Sequence, residues 1–203
     1  MNNRQDERRQ FFRIDDSLSL SYRQIPAERL SAAIENLENA LDRDFTVVSS
    51  LAAVSQEMQG TLHKIEASRP EIAAYLKSLD KKIDILGRAL LAQTTELLNQ
   101  PAQEVNISAT GVSFLVPEDI PVGAVLELKM LLMPSYAGIL SFVEVLGCDP
   151  VASPAGQPAS YNLRTTFMHI RDRDRDLLIQ HVVQRQSAQI RRARQGAEQG
   201  KPG

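Results

Sequence analysis

At 203 residues and 43% hydrophobic, the chain can bury a sizeable core in one domain, or in a domain with an extension. A net charge of −2 and a pI near 6.0 exclude bulk nucleic-acid binding, which needs a basic face to neutralise phosphates. The lone Cys148 excludes an internal disulfide, and no stretch approaches the roughly 18 apolar residues of a membrane span, so the expectation is a cytoplasmic protein.

Residues 1–12 are polar and aperiodic, an N-terminal arm with Phe11 and Phe12 as its apolar anchors. The arm and its end carry Arg8, Arg9 and Arg13. Guanidinium groups pair bidentately with phosphate and with the guanine edge, so this cluster suits an anion. From Ser17 to Ile25 the pattern turns to period two, with Leu18, Leu20 and Tyr22 on one face of a half-buried strand. Pro26 ends it and opens a helix with Ala27 and Glu28.

Residues 27–100 change period. Apolar residues from Leu30 through Ile34, Leu37, Leu41, Val48, Leu51, Met58 and Leu62 to Ile65 keep alternating four-three spacing, broken in character by Asp44 and Ser55. That spacing predicts one heptad seam, about 55 Å long if straight. Ser68-Arg69-Pro70-Glu71 reads as a capping box that starts a second helix, along which Ile72, Leu76, Leu79, Ile83, Leu86, Leu90, Gln93 and Leu97 continue the spacing. Two such stripes cannot stay in water, so the helices pack on each other or on other chains. A seam this long points to coiled-coil self-association.

After Pro101 the period returns to two. Strands are expected at 105–108, 111–116, 124–133, 137–146 and 160–170, with a proline- and glycine-punctuated loop at 149–160. Asn106-Ile107-Ser108-Ala109-Thr110-Gly111 connects the first two. Its Asn106 amide donates and accepts, its Ser108 hydroxyl rotates, and Gly111 permits positive φ or the close approach of a ligand. Arginines for anionic oxygens and a polar turn for base edges together describe a small guanine-containing dianion. A final helix opens at Asp172 with carboxylates in its first turn, presents Leu177, Leu178, Val182 and Val183, and frays beyond Gln186. The fold class is α+β: an antiparallel six-stranded β-barrel with a long inserted helical coiled-coil hairpin and a C-terminal helix.

Arg9-x-x-x-Arg13, preceded by Arg8, followed by Asn106-x-Ser108-x-x-Gly111, resembles the PilZ domain, a bacterial receptor module for cyclic di-GMP. The likeness extends to Glu7–Ile14, to Ile120-Pro121-Val122-Gly123 and to Tyr161–Phe167, and covers residues 1–26 and about 104–185. It implies a barrel domain from 1–26 and 104–190, an inserted helical oligomerisation region at 27–103 and a flexible tail at 191–203. It also implies cyclic di-GMP as ligand, held by Arg8, Arg9, Arg13, Asn106, Ser108 and Gly111, a tetramer, a downstream protein partner, no further cofactor and no metal. Where the family has a glycine in the last strand this chain has Arg164, which either crowds the pocket or adds a phosphate contact. The alternative is a structural adaptor with the same fold that acts through protein partners alone.

An enzyme is not expected. His63, His169 and His181 lack metal-ligand spacing, Ser108 has no adjacent base, and Cys148 has no neighbouring cation.

Overall fold

The computed structural model describes residues 12–39, 43–94, 97, 100–152 and 159–199. Period-two segments form six strands: β1 (Arg13–Gln24), β2 (Gln103–Ser108), β3 (Gly111–Val116), β4 (Val125–Leu132), β5 (Ala137–Val151) and β6 (Ser160–Ile170). All pair antiparallel and close into a barrel in the order β1-β2-β3-β6-β5-β4. Closure runs through β1, whose first half, Arg13 to Leu18, pairs with β2 and whose second half, Ser19 to Gln24, pairs with β4. Both of its flanks are thereby hydrogen-bonded, which removes the hazard of an open edge.

The barrel interior is aliphatic, as the low aromatic content requires. Leu18, Ile107, Val112, Leu126, Leu128, Met130, Ile139, Val143, Val145 and Leu163 have no exposed surface. Phe114 adds the main ring, tilted against Tyr22 at 5.6 Å. Three strands are longer than their patterns predict, β2 only by Gln103 and Glu104 at its start. β1 begins at Arg13 because Ile14 and Asp16 already alternate inward, although a buried aspartate does not read as apolar. β5 continues to Val151 because a register shift between Val145 and Gly147 lets it pass its expected end, with Pro150 opposite Tyr161.

Among the described residues four helices accompany the barrel: α1 (Ala27–Glu38), α2 (Arg43–Ser68), α3 (Pro70–Thr94) and α4 (Asp172–Gln199). The single seam expected from Leu30 to Ile65 is divided between α1 and α2, and its first part has a different partner. Leu30, Ile34 and Leu37 pack with Leu140 and Phe142 on the outside of the barrel wall. Burying a leucine is worth about 1.5–3 kcal/mol, and an apolar patch on β5 satisfies that demand as well as another helix does. Leu41 lies outside the residues that the structure describes, and Asp44 and Val48 lie outside the described side chains.

α2 and α3 form the expected antiparallel hairpin. Lys77 Nζ reaches Glu66 Oε1 at 2.5 Å near its tip, and Gly87 lies against Leu51 farther down. The capping box is not made. Ser68 Oγ turns back to the carbonyls of Lys64 and Ile65, closing α2, and the Arg69 carbonyl accepts the first bond of α3 from Ala73 N–H. Pro70, which needs no amide partner, occupies the first turn of α3.

α4 runs to Gln199 instead of fraying after Gln186, since residues 187–199 are mostly Ala, Gln, Arg and Glu, all strong helix formers. Its Leu177, Leu178 and Val182 join the barrel core. A buried polar cluster fixes its register. Asp16 Oδ2 accepts from His181 Nε2 at 2.6 Å, and Asp16 Oδ1 accepts from Arg185, whose Nε lies at 2.8 Å. Burial alone would raise the Asp16 carboxyl; the bonds from Arg185 and His181 outweigh it and hold the group below the usual carboxylate range. Burial also dominates at His181 and pushes the imidazole down despite Asp16. The pair is thus a carboxylate facing a neutral imidazole with its proton on Nε2.

Because folded His181 resists the proton that unfolded His181 accepts near its usual value of 6.5, its contribution to stability is complete above 6.5 and is lost as pH falls through the folded value. Asp16 has the same sign at lower pH, being lowered from 3.8. The expected outcome is that the stability advantage of the parent over His181→Gln, read from urea midpoints, shrinks as pH falls from 7 to 5. An advantage independent of pH would contradict a neutral buried imidazole.

Candidate ligand-binding site on the barrel wall

A row of side chains crosses the outside of the barrel. Cross-strand pairing places Asp15 opposite Asn106, Asn106 opposite Ser113, Ser113 opposite Arg164 and Arg164 opposite Gly147. This register aligns one residue from each of five successive strands, roughly 19 Å from end to end at the usual strand spacing. The row floors a cavity of about 660 Å³, lined also by Arg13, Glu104, Leu115, Leu146 and Asn162.

Local geometry determines what each residue presents. Arg13 and Asp15 are two apart on β1 and so share the outer face, while Ile14 and Asp16 point inward. Asn106 bridges them: its Oδ1 accepts from Arg13 Nη1 at 3.2 Å, and its Nδ2 donates to Asp15 Oδ1 at 2.8 Å. Ser113 Oγ donates to Asn162 Oδ1 at 2.7 Å. Arg164 is paired with Asp149 at 3.0 Å and lies flat over Gly147, where any side chain would run into the guanidinium. Arg164 therefore lines the cavity without filling it.

Leu115 and Leu146 are 48% and 53% exposed at the same cavity. Leu146 follows the inward Val145 and points outward by ordinary alternation, and the register shift after it brings Gly147 onto the same outer face, opposite Arg164. Leu115 on β3 lies between Arg13 and Arg164 and Leu146 on β5 lies just beyond Arg164, so the cavity sets two exposed leucines beside two arginines, each with a carboxylate nearby, and offers apolar contact to a ring and guanidinium donors to an anion.

The predicted site residues divide into three groups. Arg13, Asn106 and Arg164 meet at the cavity. Arg8 and Arg9 lie outside the described residues. Ser108 and Gly111 do not line the cavity; they build the β2–β3 turn. Ser108 is 1% exposed, and its hydroxyl donates to the Gly111 carbonyl at 3.2 Å and accepts the Thr110 N–H at 3.3 Å. Gly111 does not take positive φ. A Cβ there would collide with the Thr165 carbonyl of β6, so the residue is glycine because two backbones pass in contact. The turn is pinned to β6 by Phe167 N–H and Thr166 Oγ1, both donating to the Thr110 carbonyl, at 2.9 and 3.1 Å.

Sequence reading missed Asp15, Ser113, Leu115, Leu146 and Asn162. Asp15 had the clearest signal, as the outward residue two beyond Arg13. The others needed the register between strands far apart in sequence.

Among the described residues, no helix is long and apolar enough to cross a membrane. Cys148 is partly buried and packed against the core, with Sγ accepting the Ile120 N–H at 3.4 Å, and burial pushes its thiol up, away from the reactive thiolate.

The closed six-stranded antiparallel barrel with its accompanying helices is a PilZ-like fold. It resembles a tetrameric PilZ-domain protein from Xanthomonas campestris that self-assembles via a helical bundle, with a TM-score of 0.52 and 18% identity over 89% of this chain and 91% of that one. The Bacillus subtilis inhibitor of motility MotI/DgrA overlaps more loosely, with a TM-score of 0.42 and 13% identity. The match covers 89% of this chain and about half, 52%, of that longer one, too distant to carry weight. No family model and no curated protein matches the chain.

Gly111→Ala should lower thermal stability of the free protein by about 1–3 kcal/mol, the usual cost of forcing a group into a packed site, with no ligand present. An unchanged melting temperature would show that β3 and β6 do not meet so closely there.

Proposed function

We propose that this protein is a cytoplasmic receptor for cyclic di-GMP that assembles through its helical hairpin and signals by binding a partner, not by chemistry. The observation that carries the reading is the outer-wall row, with Arg13 and Asn106 toward one end and Arg164 toward the other, and with exposed Leu115 between them and exposed Leu146 just beyond Arg164 in the same cavity. Arginines suit the two phosphates and the guanine Hoogsteen edge, and the leucines suit the base faces. Arg8 and Arg9, just upstream of Arg13, close over the nucleotide when it arrives, so occupancy becomes a change in surface shape.

Assembly rests on the hairpin's outer face. Ile72, Ile83 and Leu86 of the predicted seam are 47%, 40% and 69% exposed in the single chain, beside Met58 at 47% and Tyr75 at 64%. The Xanthomonas protein of like fold is tetrameric through a helical bundle, and the same use of α2 and α3 would cover this face. Several sites in one particle then engage a repetitive partner at high effective concentration.

Titration of the protein with cyclic di-GMP, referenced to chain concentration, should give saturable heat. Arg13→Ala should weaken binding by about 5- to 150-fold, the value of one bidentate guanine contact. Absence of binding in calorimetry and in a second assay would leave the adaptor reading. Leu86→Asp should reduce the particle mass in light scattering while keeping affinity per chain, and an unchanged mass would remove the hairpin as the assembly surface.

A further inference from the structure

We infer that Asp15 reads the base of the bound nucleotide, accepting the Watson–Crick edge of a guanine, while Asn106 serves as the bracket that positions Asp15 and Arg13. The inference rests on the cyclic di-GMP reading above and assigns the chemistry within that site.

Asn106 is the residue that the motif marks for base contact. In the free protein each end of its amide makes one bond, Oδ1 accepting from Arg13 and Nδ2 donating to Asp15, so its orientation is tied to both neighbours. Asp15 is differently placed. It is exposed, it lines the cavity, and Asn106 takes only its Oδ1, leaving Oδ2 without a partner among the described residues. Gln189 engages the backbone carbonyl of Asp15, at 2.8 Å, and not the carboxylate. The side chain is thus held in place at one oxygen and open at the other.

A carboxylate only accepts, with two lone pairs on each oxygen. Guanine N1–H and N2–H₂ are parallel donors that match it bidentately. Adenine offers an acceptor at N1 and no 2-amino group, so a carboxylate there repels it. Arginine complements the opposite edge, where guanine presents O6 and N7 as acceptors. Arg13 and Asp15 stand about 7 Å apart on one face of β1, given the strand rise, so one strand offers a donor fork and an acceptor pair to a single purine. The site then discriminates by chemistry, since a purine that reversed either edge would leave a charged group facing a like dipole.

The test uses the full chain and three probes: cyclic di-GMP, its inosine analogue lacking the 2-amino groups, and cyclic di-AMP. Asp15→Asn is the informative variant, because its Oδ1 still accepts from Asn106 while an NH₂ replaces the second acceptor. The parent should bind cyclic di-GMP most tightly and the inosine analogue less tightly. Asp15→Asn should weaken cyclic di-GMP by about 5- to 150-fold, narrow the gap to the inosine analogue and leave the melting temperature unchanged. If the parent binds none of the probes, the receptor reading fails and takes this assignment with it. If the parent binds and Asp15→Asn keeps the same affinities, or loses all three probes equally, the receptor stands and base reading by Asp15 is overturned.

Discussion

The alternation of β1 between Arg13 and Asp16 is the constraint on which the rest of the structure depends. Side chains on a strand point to opposite faces in turn, so four consecutive residues are divided between two tasks. Arg13 and Asp15 face the outer cavity, and Ile14 and Asp16 face inward. Asp16 then secures α4 through His181 and Arg185, a link between residues far apart in sequence. A shift of β1 by one residue would put the buried carboxylate in water and the site residues in the core. The strand that closes the barrel therefore also fixes the site and holds the last helix.

The helices show a different limit. Four-three spacing of apolar residues states that a helix has one dry face but does not say what dries it. Leu30, Ile34 and Leu37 carry the same pattern as Leu51, Leu62 and Ile65, yet the first three meet Leu140 and Phe142 on the barrel wall and the others belong to the hairpin. Burial depends on area and fit and is indifferent to the identity of the partner. A heptad count therefore overstates a coiled coil whenever a strand outside the helical region offers an apolar patch, as β5 does.

The motif residues divide along a similar line. Ser108 and Gly111 are spaced as ligand residues, and the structure gives both a complete account as parts of a turn, one filling the turn's own hydrogen bonds and the other passing against Thr165. A motif spacing can be kept because it makes the turn that presents the neighbouring residues. Arg164 is the converse case. From the sequence it either crowds the pocket or adds a phosphate contact; in the fold it is accommodated by Gly147 on the next strand and held by Asp149, a compensation visible only once β5 and β6 are aligned.

Much was legible from the chain alone. The switches of period at Pro26 and Pro101, the six strands, the hairpin break near Pro70 and the family resemblance all follow from local spacing, because secondary structure is imposed by repeats of two and of three to four residues. Arg13 and Asn106 were legible as candidate site residues through the motif that carries the family resemblance, and Arg164 through its departure from the family's glycine. The remainder was not: the partner of α1, the inward aspartate of β1, the placing of Gly147 opposite Arg164 and that of Asp15 beside Asn106. Each of these depends on register between strands or helices separated by many tens of residues, and register is decided by which faces can be buried together. Local sequence specifies the faces, and only the closed barrel decides which of them meet.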